Sequence, residues 1–163
     1  MNPYVGYTNF IPLLAPVDIA STVTASSYMS LKGAQRAAFL VYVGLITSAT
    51  ADTEDITVEA ATAEGGTEAQ IDFWYRKSSA AGANTWGAIT SASVLALAND
   101  ADDGVMVWIE FDVDALAAND YNVVRVKFTD NTDMTAALVS VIGVIDPRYK
   151  MTTFRSATAS ASA

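Results

Sequence analysis

The chain has 163 residues and a mass of 17.2 kDa, enough for one domain with some length to spare. It contains no histidine and no cysteine, and 18 acidic against 9 basic residues give it a net charge of −9. These features remove the commonest general base and metal ligand and the most reactive nucleophile, and they oppose direct binding to nucleic-acid phosphates or anionic membranes.

The hydrophobic fraction of 52% against a charged fraction of 17% points to extensive apolar surface, part of it available to partners. No apolar run approaches the ~20 residues that span a bilayer. The opening MNPYVGYTNF lacks the basic start and apolar stretch of a signal peptide. The expectation is a soluble product made in a cytoplasm. Absence of cysteine fits a reducing compartment and equally a particle that must survive outside cells.

Residues 1–26 read as an extended N-terminal arm. Pro3, Pro12 and Pro16 remove backbone donors and disfavour helix. Tyr4, Tyr7, Phe10, Ile11, Leu13 and Leu14 are too apolar for a solvated linker. Such a segment needs a surface to lie on, either its own domain or a neighbouring subunit.

From Tyr28 onward the pattern is that of strands. Tyr28 to Leu31 is a short one, followed by a turn at Gly33. Next, Phe39, Val41, Val43 and Leu45 share one face while Leu40, Tyr42 and Ile46 share the other, as in a central or interface strand. Residues 47–55 read as a polar loop. Ile56, Val58 and Ala60 then alternate with Thr57 and Glu59, predicting a strand with a wet outer face. Beyond Gly65 and Gly66, Ile71, Phe73 and Tyr75 alternate with Asp72, Trp74 and Arg76, so that the two runs predict a hairpin.

After a small-residue loop over 78–84, residues 85–97 hold Trp86 and Ile89 in a weaker strand pattern, and residues 99–104 form a turn. It launches the cleanest alternation of all: Val105, Val107, Ile109, Phe111 and Val113 against Met106, Trp108, Glu110, Asp112 and Asp114. Residues 115–120 read as a loop or a single helical turn. Val124, Val126 and Phe128 alternate with Arg125 and Lys127, and a last strand runs over about 135–145 to Asp146 and Pro147. The serine- and alanine-rich stretch 151–163 reads as a flexible tail. About eight short strands without a long helix predict an all-β fold, an antiparallel sandwich or jelly-roll-like barrel, with a single domain over 27–150.

Candidate chemistry is sparse. The acidic turn of Asn99, Asp100, Asp102, Asp103 and Gly104 fails as a calcium loop, because aligning Gly104 with the invariant glycine puts Ala101 at a ligand position. Aspartates satisfying their own turn explain it better. Paired carboxylates for glycoside hydrolysis can be sought in Glu110, Asp112 and Asp114, which share a predicted strand face, yet acids on an outward face are ordinarily just solvated. Ser91 and Ser140 have no histidine to activate them. The sequence nominates no catalytic, cofactor-binding or metal residue and argues against an enzyme. Tyr42, Trp74 and Trp108 fall opposite the apolar stripes, where they serve as core, as a protein contact or as a sugar-stacking platform.

Over residues 27–150 an ordered set of short motifs carries a resemblance. These are Tyr28 to Lys32; Phe39 to Gly44; Ile56 to Glu59 with Ala60, Ala61 and Thr62; Asp102, Asp103 and Gly104; Phe111 to Asp114; Val124, Arg125 and Val126; and Val144, Ile145, Asp146, Pro147, Arg148 and Tyr149. Together they resemble a family of small structural proteins of tailed bacteriophages, most like head decoration (cement) proteins. The resemblance implies a virion component on the capsid surface, with the major capsid protein as partner. Arms, edge strands and multivalent attachment suit that role. Tyr4, Tyr7, Phe10, Ile11, Leu13, Leu14, Trp74, Trp108, Arg148 and Tyr149 are the candidate partner-interface residues. Arg148 serves either as an anchor to a partner carboxylate or as a structural salt bridge. Symmetry favours a homo-oligomer, a trimer first. The rival expectations are a tail or neck protein, which forms rings or tubes, and a carbohydrate-binding or host-adhesion module using Trp74, Trp86 or Trp108.

Overall fold

The structure, a computed structural model, describes residues 8–20, 23–47, 53–98, 101–130 and 135–148. It is an all-β antiparallel sandwich of two packed sheets, which stay open rather than closing into a barrel. Twelve strands and one short helix are described: β1 (Asn9–Asp18), β2 (Thr24–Ala25), β3 (Met29–Ser30), β4 (Ala34–Thr47), β5 (Thr53–Ala61), β6 (Ala69–Ile71), β7 (Phe73–Lys77), β8 (Thr90–Ala92), β9 (Leu95–Ala98), β10 (Met106–Glu110), α1 (Val113–Ala118), β11 (Val123–Asp130) and β12 (Ala136–Pro147). The number exceeds the eight expected because the edges of the second sheet are built from fragments of two to four residues.

The first sheet runs β1-β12-β4-β10-β7-β8. The second runs β2-β11-β5-β6, with β3 also on β11 and β9 also on β5. Thus β2 and β3 make one split edge, and β6 and β9 the other. With each split edge counted once and the β7–β8 excursion set aside, the order is first, eighth, third, sixth in one sheet and second, seventh, fourth, fifth in the other. That is the jelly-roll arrangement of interlocked Greek keys. Phe39, Val41, Val43, Val107, Ile109, Val141 and Ile145 of the first sheet meet Met29, Ile56, Val58, Val124, Val126 and Phe128 of the second in one continuous core.

Several expectations are corrected by this arrangement. In β4, Leu45 faces solvent and Ile46 the core, the reverse of strict alternation. Val43 and Ile46 pair with Val139 and Ala137, so β4 carries one extra residue there, a β-bulge that exchanges the faces. The expected hairpin is formed only by β5 and β6, where Val58 pairs with Ile71 and Ala60 with Ala69. At Asp72 the chain leaves for the first sheet, and β7 pairs with β10 and β8 instead. Residues 53–55, expected in a loop, already belong to β5. The weak pattern over 85–97 resolves into β8 and β9, which lie in different sheets. The alternating run from Val105 stops as a strand at Glu110. Asp112 then caps α1 by accepting hydrogen bonds from the backbone N–H groups of Asp114 (3.0 Å) and Ala115 (3.1 Å).

The outer face of β5 is not wet at Glu59. This buried carboxylate pairs with Arg125 (2.8 Å) and Lys127 (2.9 Å) of β11, while Arg125 reaches Glu68 (3.0 Å) and lies 4.8 Å from the centre of the Tyr28 ring. The Tyr28 hydroxyl closes the cluster by donating to Glu68 at 2.5 Å. Burial, then the bond to Glu68, pushes the Tyr28 phenol up to about 12. A pKa raised above the unfolded value of about 10 means stability that is complete below pH ~10 and lost as pH rises toward ~12. Thermal unfolding midpoints measured across that window are expected to fall more steeply in the native protein than in Tyr28→Phe. Parallel curves would show that the phenol does not contribute.

Candidate interaction surface

Of the residues expected to meet a partner, Tyr4, Tyr7 and Tyr149 lie outside the described residues, as does the tail over 151–163. Within the leader, residues 9–18 form β1 and lie along their own domain: Asn9 pairs with Ile145 and Asp18 with Leu138. Asp18 locks that end by accepting from the N–H groups of Ala137 (2.9 Å) and Ala20 (3.0 Å), which hold its carboxyl below the usual aspartate range. Ile11 and Leu13 turn into the core and Leu14 packs against it. These three are spent on the fold, whereas Phe10 points outward. Arg148 is also engaged internally. Its guanidinium pairs with Asp114 and donates to the Ala34 carbonyl at 3.0 Å.

Backbone register defines what accompanies Phe10. Cross-strand partners share a face, so Phe10, Val144, Ala38, Glu110 and Trp74 form one row across the outer side of the first sheet. Pro12, Ile142, Leu40, Trp108 and Arg76 form the next, and Ser140, Tyr42 and Met106 a third. The sequence reads β4 as covered on both faces, but among the described residues no second layer lies over this one, although Ala38 and Val144 are themselves buried in it. Phe10 is 56% exposed, Tyr42 50%, Trp74 48%, Leu138 43% and Ile142 38%. The three rows carry no charged side chain on β1, β12 or β4; Glu110 and Arg76 charge them on β10 and β7, and Arg36 and Asp146 pair one row further, on β4 and β12.

At that end the surface is concave. Two depressions of about 380 and 220 Å³ share Arg36, Trp74, Trp108 and Glu110 and so form one groove. Thr8, Asp112 and Asp146 line its first part, Arg76 and Ile89 its second. The Trp108 indole N–H donates to Glu110 at 2.7 Å, which fixes both side chains. Thr8 donates to Asp146 at 2.6 Å. Trp86, also considered in the sequence, stacks under the Arg76 guanidinium at 5.0 Å.

The acids weighed for catalysis do not converge. Glu110 lies in a strand, Asp112 caps α1, and Asp114 sits in the helix beside Arg148. Within the acidic turn, Asp102 accepts from the Ala98 N–H (2.8 Å) and pairs with Lys77 (2.8 Å), while Asp103 accepts from the Ile46 N–H at 2.7 Å. Gly104 holds a left-handed φ of 68°, and an added Cβ would lie 2.7 Å from that of Ala81. Among the described residues no three acidic side chains gather to hold a metal ion, and no helix is long and apolar enough to cross a membrane. Comparison with protein-family models, with curated proteins and with solved structures gave no match.

Proposed function

We propose that this chain is a structural virion protein, a decoration (cement) protein that binds the outer surface of a major capsid shell and stabilises it. It is made in the host cytoplasm and ends on the capsid surface, without catalytic residues, cofactor, nucleic acid or membrane partner. The observation that carries this reading is the apolar face of the first sheet that the described residues leave uncovered, with Phe10, Tyr42, Leu138 and Ile142 standing on a rigid scaffold. An apolar face left in water over several strands marks a contact surface, and one modest contact repeated over a symmetric shell becomes durable. The motif resemblance over residues 27–150 supports it. The jelly roll is compatible, since that architecture recurs in viral coats as well as lectins, but fold alone does not assign a role.

The test adds purified protein to particles that lack it and counts copies that sediment together. The expectation is on the order of hundreds of copies per particle, arranged by closed symmetry with a trimer favoured. Replacing both Tyr42 and Ile142 by aspartate places two charges on the apolar face, and attachment is expected to weaken by about tenfold or more while the unfolding midpoint stays within a few degrees. Undiminished attachment of that variant, or a handful of copies at one vertex, refutes the assignment. Rings or tubes of the pure protein in electron micrographs would favour a tail or neck role.

A further inference from the structure

The groove over β12, β4, β10 and β7 has a composition that the apolar face does not explain. We propose that it is a binding site for a neutral saccharide, recognised by stacking on Trp74, by hydrogen bonds donated by Arg36 and by hydrogen bonds accepted by Glu110. Sugar rings present an apolar C–H face and a rim of hydroxyls, so they need an exposed aromatic plane beside fixed donors and acceptors. The groove supplies both within one cross-strand neighbourhood. Trp74 pairs directly with Glu110, and its ring is half exposed. Trp108 lines the same space one row further along.

Fixed geometry is what separates a site from a patch. Glu110 is held at one oxygen by the Trp108 indole at 2.7 Å, and its second oxygen has no side-chain partner among the described residues. Arg36 lines both depressions and makes no ion pair with any described residue, leaving its N–H fork free to donate. Asp146, oriented by Thr8, adds a further acceptor. All of these groups stand on strands or are tied to one, which gives precision that a loop site lacks. The combined volume suits a short segment of an oligosaccharide rather than a folded partner.

Charge selects within that class. Two arginines, Arg36 and Arg76, face three carboxylates, Glu110, Asp112 and Asp146, on a chain of net charge −9. No positive surplus remains to attract uronates, sialates or phosphorylated glycans, whereas hydroxyls satisfy carboxylates and guanidinium alike. Ala38 and Val144 of the Phe10 row also line this groove, but the stacking ring of Trp74 stands on β7, away from Tyr42, Leu138 and Ile142, so the two contacts are separable by substitution.

A glycan array carrying neutral and anionic saccharides, probed with the full-length chain, tests this directly. Saturable signals from neutral saccharides are expected. In Trp74→Ala they should fall by about tenfold or more, since an exposed stacking ring contributes most where polar contacts are weak in water. Trp74→Phe should restore part of the loss, and Glu110→Gln should weaken binding with an unchanged unfolding midpoint. No signal from neutral saccharides, signals confined to anionic ones, or equal signals from Trp74→Ala would each overturn the proposal. Sedimentation of Trp74→Ala with particles separates the two functions: retained attachment with lost glycan binding is the expected outcome. A variant that loses both while remaining folded places Trp74 in the shell contact and refutes a separate sugar site.

Discussion

Truncating Phe39 to alanine is expected to lower the unfolding free energy by about 3–5 kcal/mol, most of the margin of a domain this size. The ring is fully buried in the middle of β4, the strand flanked by β12 on one side and β10 on the other. Its neighbours in register are Ile109 on one side and Gly143 on the other, and its ring lies 5.5 Å from that of Phe111. Gly143 offers no side chain to fill the void. A Cβ there would come within 2.6 Å of the Met29 sulfur and 2.8 Å of the Leu13 side chain, so those two groups already occupy that space. The site therefore collapses poorly, which puts the cost toward the upper end. Urea unfolding would show a lower midpoint at unchanged slope. A loss below about 1 kcal/mol would mean that the two sheets do not close on Phe39 as described.

Replacing Asp102 by alanine is expected to cost about 2–4 kcal/mol, because a buried carboxylate that serves two donors cannot be removed without stranding them. Asp102 takes both oxygens to the Lys77 ammonium, at 2.8 and 2.9 Å, and also caps the Ala98 N–H. It thereby joins the ends of β7 and β9, which belong to different sheets, beneath the turn that launches β10. Lys77 is 28% exposed and can turn to water, so Lys77→Met should cost less than Asp102→Ala. Asp102→Asn should recover part of the loss, since an amide oxygen still accepts from Ala98. Equal urea midpoints for the native chain and Asp102→Ala would show the turn to be held by backbone bonds alone.

The residues that announced the fold are those on one-sided strands. Val107 and Ile109 alternate with Met106, Trp108 and Glu110 because one side meets core and the other does not, and that contrast is visible in any register. The bulge in β4 was invisible for the same reason: a period of two has no mark for one added residue, and only the β12 pairing reveals that Ile46 has replaced Leu45 at the core. The departure of the chain at Asp72 was hidden more deeply. Both sheets bury their inner faces in the same core, so Ile71, Phe73 and Tyr75 keep alternating while the backbone crosses from one to the other. The Asp112 cap was masked by Val113, which is buried in α1 as it would have been in a longer strand. As for the surface, the sequence placed Tyr42, Trp74 and Trp108 on outward faces but could not say whether another layer covered them. That Trp74 stands beside Glu110 and near Arg36 depends on strand register between segments over thirty residues apart, which no local pattern encodes.

The pairing of β1 with β12 has a consequence for how the molecule is made. Asn9 reaches its ladder partner only when Ile145 has left the ribosome, so the first of the described strands must wait for the last of them. Nearly every other link in the jelly roll also joins distant stretches, and closing such long loops is entropically slow. Throughout that wait the proline pair in β1, Pro12 and Pro16, deprives the exposed segment of two donors and makes it a poor template for pairing with a nascent neighbour. The same prolines that shield a finished edge thus also guard an unfinished one, during the interval when the product is most crowded by its siblings.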